Sequence, residues 1–220
     1  SILALGLLPI TKRGKQFLIG FALTAFLCAA VQHAEVQLRE ASWVLNEKFS
    51  GKLLLEFLFW DFKSVLMEEL IFRGALLLIL INRLGARKAI PISAAAFGIY
   101  HWFSFGVLGM VVPMLFVFLG TGLMGYAWAL AFYRTRSILM PLGLHLGWNF
   151  TFNTIFSKGP LGQGLLLTQG GHAISNWFSL VGLLLVPLIV LLFVQYFVPS
   201  EHDTLGLRKK QEPTPVPNTK

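Results

Sequence analysis

The sequence predicts an all-α membrane protein, a polytopic bundle of about six transmembrane helices. Of its 220 residues, 55% are hydrophobic and only 13% are charged, and the mean hydropathy is +0.70. A soluble domain is roughly one quarter charged. The apolar residues also gather into long runs, and a transmembrane helix needs about 20 of them. Lipid is therefore the expected environment of this apolar surface.

Six apolar segments follow one another along the chain, with short polar loops between them. They cover residues 16–32, 53–82, 89–106, 109–133, 137–156 and 173–198. The second is long for a simple span, which indicates tilt or a leading interfacial helix. The third and fifth are short and rich in small residues, which allow close packing in lipid, so both are expected at the centre of the bundle. The stretch from His33 to Lys52 is interpreted as a polar loop.

Basic residues alternate between the two sides of the predicted membrane. One side collects Lys12, Arg13, Lys15, Arg83, Arg87, Lys88, Arg134, Arg136, Arg208, Lys209 and Lys210. The opposite loops carry only Arg39, Lys48, Lys52 and Lys158. Cytoplasmic loops are enriched in Lys and Arg, so this alternation predicts six spans with both termini in the cytoplasm.

A single domain is expected over residues 1–200, followed by a disordered cytoplasmic tail at 201–220. The tail is polar and contains Pro213, Pro215 and Pro217. The single cysteine, Cys28, excludes an internal disulfide and any multi-cysteine metal site. The net charge of +8 lies mainly at the ends of apolar segments. That placement indicates a lipid bilayer as partner and argues against nucleic acid.

The first of three polar clusters inside these segments contains Glu68, Glu69 and Arg73. A charged side chain at such depth costs at least a few kcal/mol, which makes it a candidate for function. Glu69 and Arg73 are four residues apart on one helical face, so an ion pair is expected. That pairing leaves Glu68 available as a general base. The alternative is a buried polar clasp that locks helices together.

The second cluster pairs Phe97 with His101, and the third pairs His145 with Asn149, each on one helical face. Together with Glu68 they supply a base, a second base or ligand, and donors for a developing oxyanion. These residue types indicate hydrolysis. Each pair is also compatible with a structural role, because polar side chains clamp helices together in membranes. An intramembrane proton relay is a further alternative.

The order E-E-x-x-x-R, F-x-x-x-H and H-x-x-x-N resembles the CAAX protease and bacteriocin-processing (CPBP, or Abi) family of intramembrane proteases. This family includes the Ras-converting CAAX endopeptidase. The run from Glu69 to Gly74 is similar to its E-x-x-F-R-G motif. The run from Arg134 to Pro141 is similar to R-T-G-S-L-x-x-P, with Arg136 where many members have glycine. The similarity covers about residues 60–152, the expected motif core of the domain.

The resemblance implies an intramembrane endopeptidase that hydrolyses peptide bonds near the cytoplasmic face. Glu68 and His101 would activate water, and His145 and Asn149 would stabilise the oxyanion. Glu69 and Arg73 would hold the shape of the site.

Two questions stay open at this point. Glu68, His101 and His145 could instead hold one Zn²⁺, so the protein could be a metalloprotease or a glutamate protease without metal. A non-catalytic membrane scaffold or regulator of the same fold is the alternative function. The expected partner is a peptide or protein substrate at the membrane, and the compact chain suggests a bacterial plasma membrane.

Overall fold

Residues 2–201, which the computed structural model describes, form six continuous helical segments. A short 3₁₀ turn at Ile2–Leu5 precedes them. The helices are α1 Ile10–Leu38, α2 Gly51–Glu69, α3 Leu78–Leu84, α4 Ala86–Ser104, α5 Val111–Thr135, α6 Leu139–Asn149 and α7 Asn176–Phe197. A π-helical segment, π1 (Leu70–Leu77), joins α2 to α3 without a break. A second one, π2 (Phe150–Ile155), continues α6. The predicted all-α bundle is confirmed.

The bundle also contains a small two-stranded sheet that the sequence did not predict. Strand β1 (Ala41–Leu45) pairs antiparallel with β2 (Leu166–Gly170), with Ala41 opposite Gly170. The predicted loop from His33 to Lys52 is therefore wrong, because α1 continues to Leu38 and β1 follows it. The two strands are far apart along the chain, so no local turn pattern announces their pairing.

Local chemistry explains several helix boundaries. Ser50 caps α2, and its hydroxyl oxygen accepts a hydrogen bond from the Leu53 N–H. Gly85, at φ +75°, separates α3 from α4. Arg136 ends α5 with φ 51° and ψ 32°, a left-handed conformation that favours glycine. This is the position where many relatives were expected to carry glycine, so the turn retains its shape with a less suitable residue.

Helix α6 lies at the centre of the bundle, as predicted for the fifth apolar segment. Residues 140–147 are all buried. A Cβ atom added at Gly143 or Gly147 would overlap the carbonyl oxygens of Phe17 or Phe21 on α1. Small residues therefore let the α1 and α6 backbones approach closely, which is how helices pack in lipid.

One end of the bundle gathers the starts and ends of three helices, and we call it the basic end. Arg13, at the start of α1, donates to the Thr135 carbonyl oxygen at the end of α5 (2.8 Å). It also pairs with Glu201 (2.6 Å). The opposite end, which carries β1 and β2, is called the sheet end. The predicted tail lies outside the described residues apart from Glu201.

Three helices in the described part of the chain are long and apolar enough to cross a membrane, judged by length and composition. They are α1, α5 and the Leu180–Phe197 part of α7. Large apolar side chains cover their outer faces, among them Phe26, Val111 and Phe197. The number of six spans stays a prediction.

Candidate active site

A buried ion pair links the end of α2 to π1. Glu69 and Arg73 are essentially inaccessible to solvent, and Arg73 Nη1 lies 3.1 Å from Glu69 Oε1. The same carboxylate oxygen accepts a hydrogen bond from His145 Nδ1 at 2.9 Å. The predicted Glu69–Arg73 pairing is therefore present in the structure. In addition, the Glu69 carboxylate holds the imidazole of His145, on α6, in position.

His101 lies in the last turn of α4, where its Nδ1 is 2.8 Å from the Phe97 carbonyl oxygen. A carbonyl can only accept, so Nδ1 carries the proton. His145 Nδ1 likewise donates to a carboxylate. In the neutral ring, each histidine therefore presents the lone pair of Nε2.

Glu68 lies between these two lone pairs. Its Oε2 atom is 4.0 Å from His101 Nε2 and 3.9 Å from His145 Nε2. Within residues 2–201 this oxygen is buried and has no hydrogen-bond partner. Three acceptor atoms thus converge on one point from α2, α4 and α6. Such a point needs a proton, a water molecule or a cation to be stable.

Aromatic rings surround the Arg73 guanidinium. Its carbon lies 4.4 Å from the centroid of the Phe97 ring and 5.1 Å from that of Trp128. Nη2 donates to the Gly125 carbonyl oxygen at 3.4 Å. Cations are attracted to aromatic faces, so the rings help to stabilise this buried charge. Trp128 also stacks on His145, with ring centroids 4.0 Å apart.

A cavity of about 550 Å³ lies against this cluster. His101, His145 and Asn149 line it, so the structure brings the second and third predicted clusters to one wall. Glu68 does not line the cavity and contacts its wall through the two imidazoles. Glu69 and Arg73 lie deeper, behind His145. Close contacts thus connect five of the six predicted site residues, and the sixth, Asn149, lines the same cavity.

The cavity extends towards the sheet end of the bundle. Its lining includes Gln32 and Glu35 in the last turns of α1, Lys158 after π2, and Phe178 at the start of α7. Its polar rim is an ion pair between Lys158 Nζ and Glu35 Oε1 (3.3 Å). The resemblance implied hydrolysis near the cytoplasmic face, the side of the basic end, whereas the lining of this cavity extends towards the sheet end.

The three acceptors fit a zinc site in residue type and in tautomer. Metal-bound histidines usually donate the other ring N–H to a carboxylate or carbonyl, as both do here. The distances between these three acceptor atoms, however, are longer than those between the ligands of a bound zinc ion. Zinc bonds of about 2.0–2.2 Å place tetrahedral donors about 3.3–3.5 Å apart, whereas Glu68 is 3.9 and 4.0 Å from the imidazoles. Within residues 2–201 no trio of His, Cys, Asp or Glu reaches metal-binding distances.

A second buried carboxylate lies away from this cluster. Asp61, in α2, accepts hydrogen bonds from the Asn153 side-chain amide (2.6 Å) and the Thr154 hydroxyl (3.1 Å) of π2. Both donors and Asp61 are buried. This contact fastens α2 to the end of the α6 segment. Asn153 is thereby used for packing and does not line the cavity.

Two features of the site were not predicted. The segment π1 begins directly after Glu69, and π2 begins directly after Asn149. π-Helical turns often occur at functional sites, but composition does not reveal them. Trp128 is the other feature, because no polar residue near it on α5 suggested contact with His145.

Comparison with known families supports the resemblance. The family model of the Rce1-like type II CAAX prenyl endopeptidases matches residues 50–151. The match places residues 50–151 with the CAAX protease family. The matched segment contains all six predicted site residues. No curated protein and no solved structure matches the chain. The family and the apolar helices together indicate an integral membrane protein.

Proposed function

We propose that this protein is an intramembrane endopeptidase in which Glu68 and His101 activate a water molecule. The convergence of Glu68 Oε2 with two imidazole Nε2 atoms, within 4.0 Å, carries the proposal. A water that bridges two acceptors at ordinary hydrogen-bond lengths, about 2.8 Å, holds them about 4–4.5 Å apart. The observed separations agree with such a water better than with a closed zinc set.

The water would donate one O–H to Glu68 and the other to the His101 lone pair, which leaves an oxygen lone pair for attack. Glu68 takes the proton as the water oxygen bonds to the scissile carbonyl carbon. It then returns that proton to the amide nitrogen as the C–N bond breaks. General acid–base catalysis of this kind contributes about 10²–10⁴-fold.

Stabilisation of the oxyanion would come from His145 and Asn149, which line the same cavity. Since His145 Nδ1 already donates to Glu69, its Nε2 can donate only when the ring carries both protons. The carboxylates of Glu68 and Glu69 face its two nitrogens, at 3.9 Å from Nε2 and 2.9 Å from Nδ1. Donors of this kind typically contribute 10²–10³-fold. Arg73 offsets the charge of Glu69 and so keeps the pair neutral.

The substrate would be a peptide, or a segment of a membrane protein, that enters the cavity from the sheet end. The rim formed by Glu35 and Lys158 would meet it first, and His145 would meet it last. A cytoplasmic position of both termini and a bacterial plasma membrane remain our predictions from the sequence. If a zinc ion were bound, Glu68, His101 and His145 would hold it, and it would polarise the carbonyl and the water.

Cleavage of internally quenched peptides by the full chain in detergent tests this proposal. We expect Glu68→Gln and His101→Ala to reduce the rate at least 100-fold, because each removes an acceptor of the attacking water. Glu56→Gln is a matched control, since Glu56 lies on the same helix and pairs with the exposed Lys52. Full activity of the Glu68→Gln variant would contradict the proposal, because a group other than Glu68 would then activate the water.

A further inference from the structure

The connection between α4 and α5 presents an exposed apolar surface, and we call residues 103–115 the apolar turn. Six of its large side chains are between 48 and 79% exposed: Phe103, Leu108, Met110, Val111, Val112 and Leu115. The sequence has no Asp, Glu, Lys or Arg between Lys88 and Arg134. Exposed apolar patches of this kind mark surfaces that contact a protein partner or a membrane.

The backbone of the apolar turn satisfies most of its own N–H groups. Carbonyl oxygens of residues 101–107 accept, at 3.0–3.2 Å, from the N–H groups of Phe105, Gly106, Val107 and Met110. The Gly109 N–H donates to the Met114 sulfur, and the Trp102 indole N–H donates to the Met114 carbonyl oxygen at 2.8 Å. Pro113 has no N–H to satisfy. Unpaired backbone donors are costly beside lipid, so this turn is suited to lipid contact.

The lengths of α4 and α5 place the turn near the far boundary of the membrane hydrocarbon. At 1.5 Å per residue, α4 rises about 24 Å from Lys88 to Ser104, and α5 rises about 35 Å from Arg134 back to Val111. These values bracket the thickness of the hydrocarbon, about 30 Å. Helix length alone therefore brings the turn to the boundary, and the chemistry of its side chains determines which side they occupy.

We propose that the apolar turn inserts its side chains among the acyl chains of the bilayer, with its backbone at the boundary with the headgroups. Apolar faces of interfacial segments are typically buried about 5–10 Å into this region. Lipid fits the surface better than a protein partner does. A protein interface carries about one hydrogen bond per 100–200 Å², and the one polar side chain in the turn is Ser104.

The position of the turn also determines the depth of the candidate active site. The Phe105 ring lies 5.3 Å from the His101 ring, between centroids, and Phe105 lines the cavity. The apolar surface of the turn is therefore continuous with the cavity wall. In a consequence that rests on the endopeptidase function, a segment of a membrane protein would reach His101 along this surface without leaving the bilayer.

Spin labelling of the full chain in lipid nanodiscs tests the proposal without any cleavage. Leu108→Cys and Val111→Cys carry the label in a Cys28→Ala background, which lacks the single native cysteine. Phe26→Cys is the lipid control, because Phe26 is 70% exposed on the apolar helix α1. Lys52→Cys is the water control, because the Lys52 side chain is 86% exposed and charged.

Collision with oxygen, which collects in hydrocarbon, is compared with collision with a polar nickel complex, which stays in water. We expect both turn labels to match Phe26, with nickel collision at least about ten-fold below that at Lys52, because a polar complex loses its hydrogen bonds in hydrocarbon. Nickel collision equal to that at Lys52 would overturn the proposal and place the turn in water. Low collision with both reagents would also overturn it and indicate a protein partner on this surface. Because the measurement needs no substrate, the endopeptidase function can fail while the lipid contact holds.

Discussion

Replacing Glu69 and Arg73 by glutamine, singly and together, probes the ion pair that supports the site. The charges lie 3.1 Å apart and are fully buried. At an effective dielectric constant of about 20, this separation corresponds to about 5 kcal/mol of attraction. Removing one partner of a buried pair typically costs 3–5 kcal/mol, because the other charge is left uncompensated.

We therefore expect each single variant to lose about 3–5 kcal/mol of unfolding free energy, and the double variant to lose much less than their sum. The coupling energy should be at least about 2 kcal/mol. Reversible unfolding in mixed detergent, followed by intrinsic fluorescence, measures all four proteins.

A control cycle on Lys52 and Glu56 uses another i, i+4 pair on the same helix. That pair is 3.7 Å apart and largely exposed. Exposed helical pairs contribute about 0.3–0.5 kcal/mol, so the coupling there should be small. Additive costs for Glu69 and Arg73 would refute the reasoning, because they would mean that the two charges do not compensate each other.

Three further predictions concern the scaffold. Gly147→Ala should lower the free energy of unfolding by at least about 1–3 kcal/mol, because the new methyl group overlaps α1. Gly14→Ala, with open space around the new methyl group, should cause no measurable loss of stability, and thermal unfolding compares the two variants. Asp61→Asn should destabilise the fold by about 1–3 kcal/mol, because Asn153 and Thr154 donate to different oxygens of Asp61 and an amide offers only one acceptor oxygen. The peptide-cleavage rate per folded molecule should stay close to that of the parent. Burial favours the neutral form of Glu201, but hydrogen bonds from Arg13, Lys12 and Gln16 outweigh it and lower its pKa from 4.5 to about 2. The stability it provides is therefore present above pH 4.5 and lost as the pH falls towards 2, and the difference in unfolding midpoint between the parent and Glu201→Gln should shrink over that range.

Periodicity and spacing made much of the site predictable. An ion pair between Glu69 and Arg73 follows from residues four apart on one helical face, and the structure contains it. The small residues of the fifth segment predicted a central helix, and α6 is buried over residues 140–147. Both properties depend on neighbours along one helix, so a single sequence displays them.

What the sequence could not reveal depends on contacts between distant segments. The sheet joins Ala41 to Gly170, and no local pattern marks either strand as the partner of the other. The hydrogen bond from His145 to Glu69 sets a tautomer that spacing alone does not fix. Trp128 meets His145 only because α5 packs beside α6. The direction of the cavity likewise follows from how α1 and α7 are placed around it.

Cleavage of a quenched peptide by the purified parent, beside Glu68→Ala, with and without a chelator and added zinc, tests the central claim most directly. The account predicts that the variant loses cleavage, that the chelator leaves the parent active, and that zinc is absent from the active protein by elemental analysis. Loss of parent activity on chelation, restored by zinc, would contradict water activation by Glu68 and His101 alone. Equal cleavage by the parent and the variant would contradict the whole assignment.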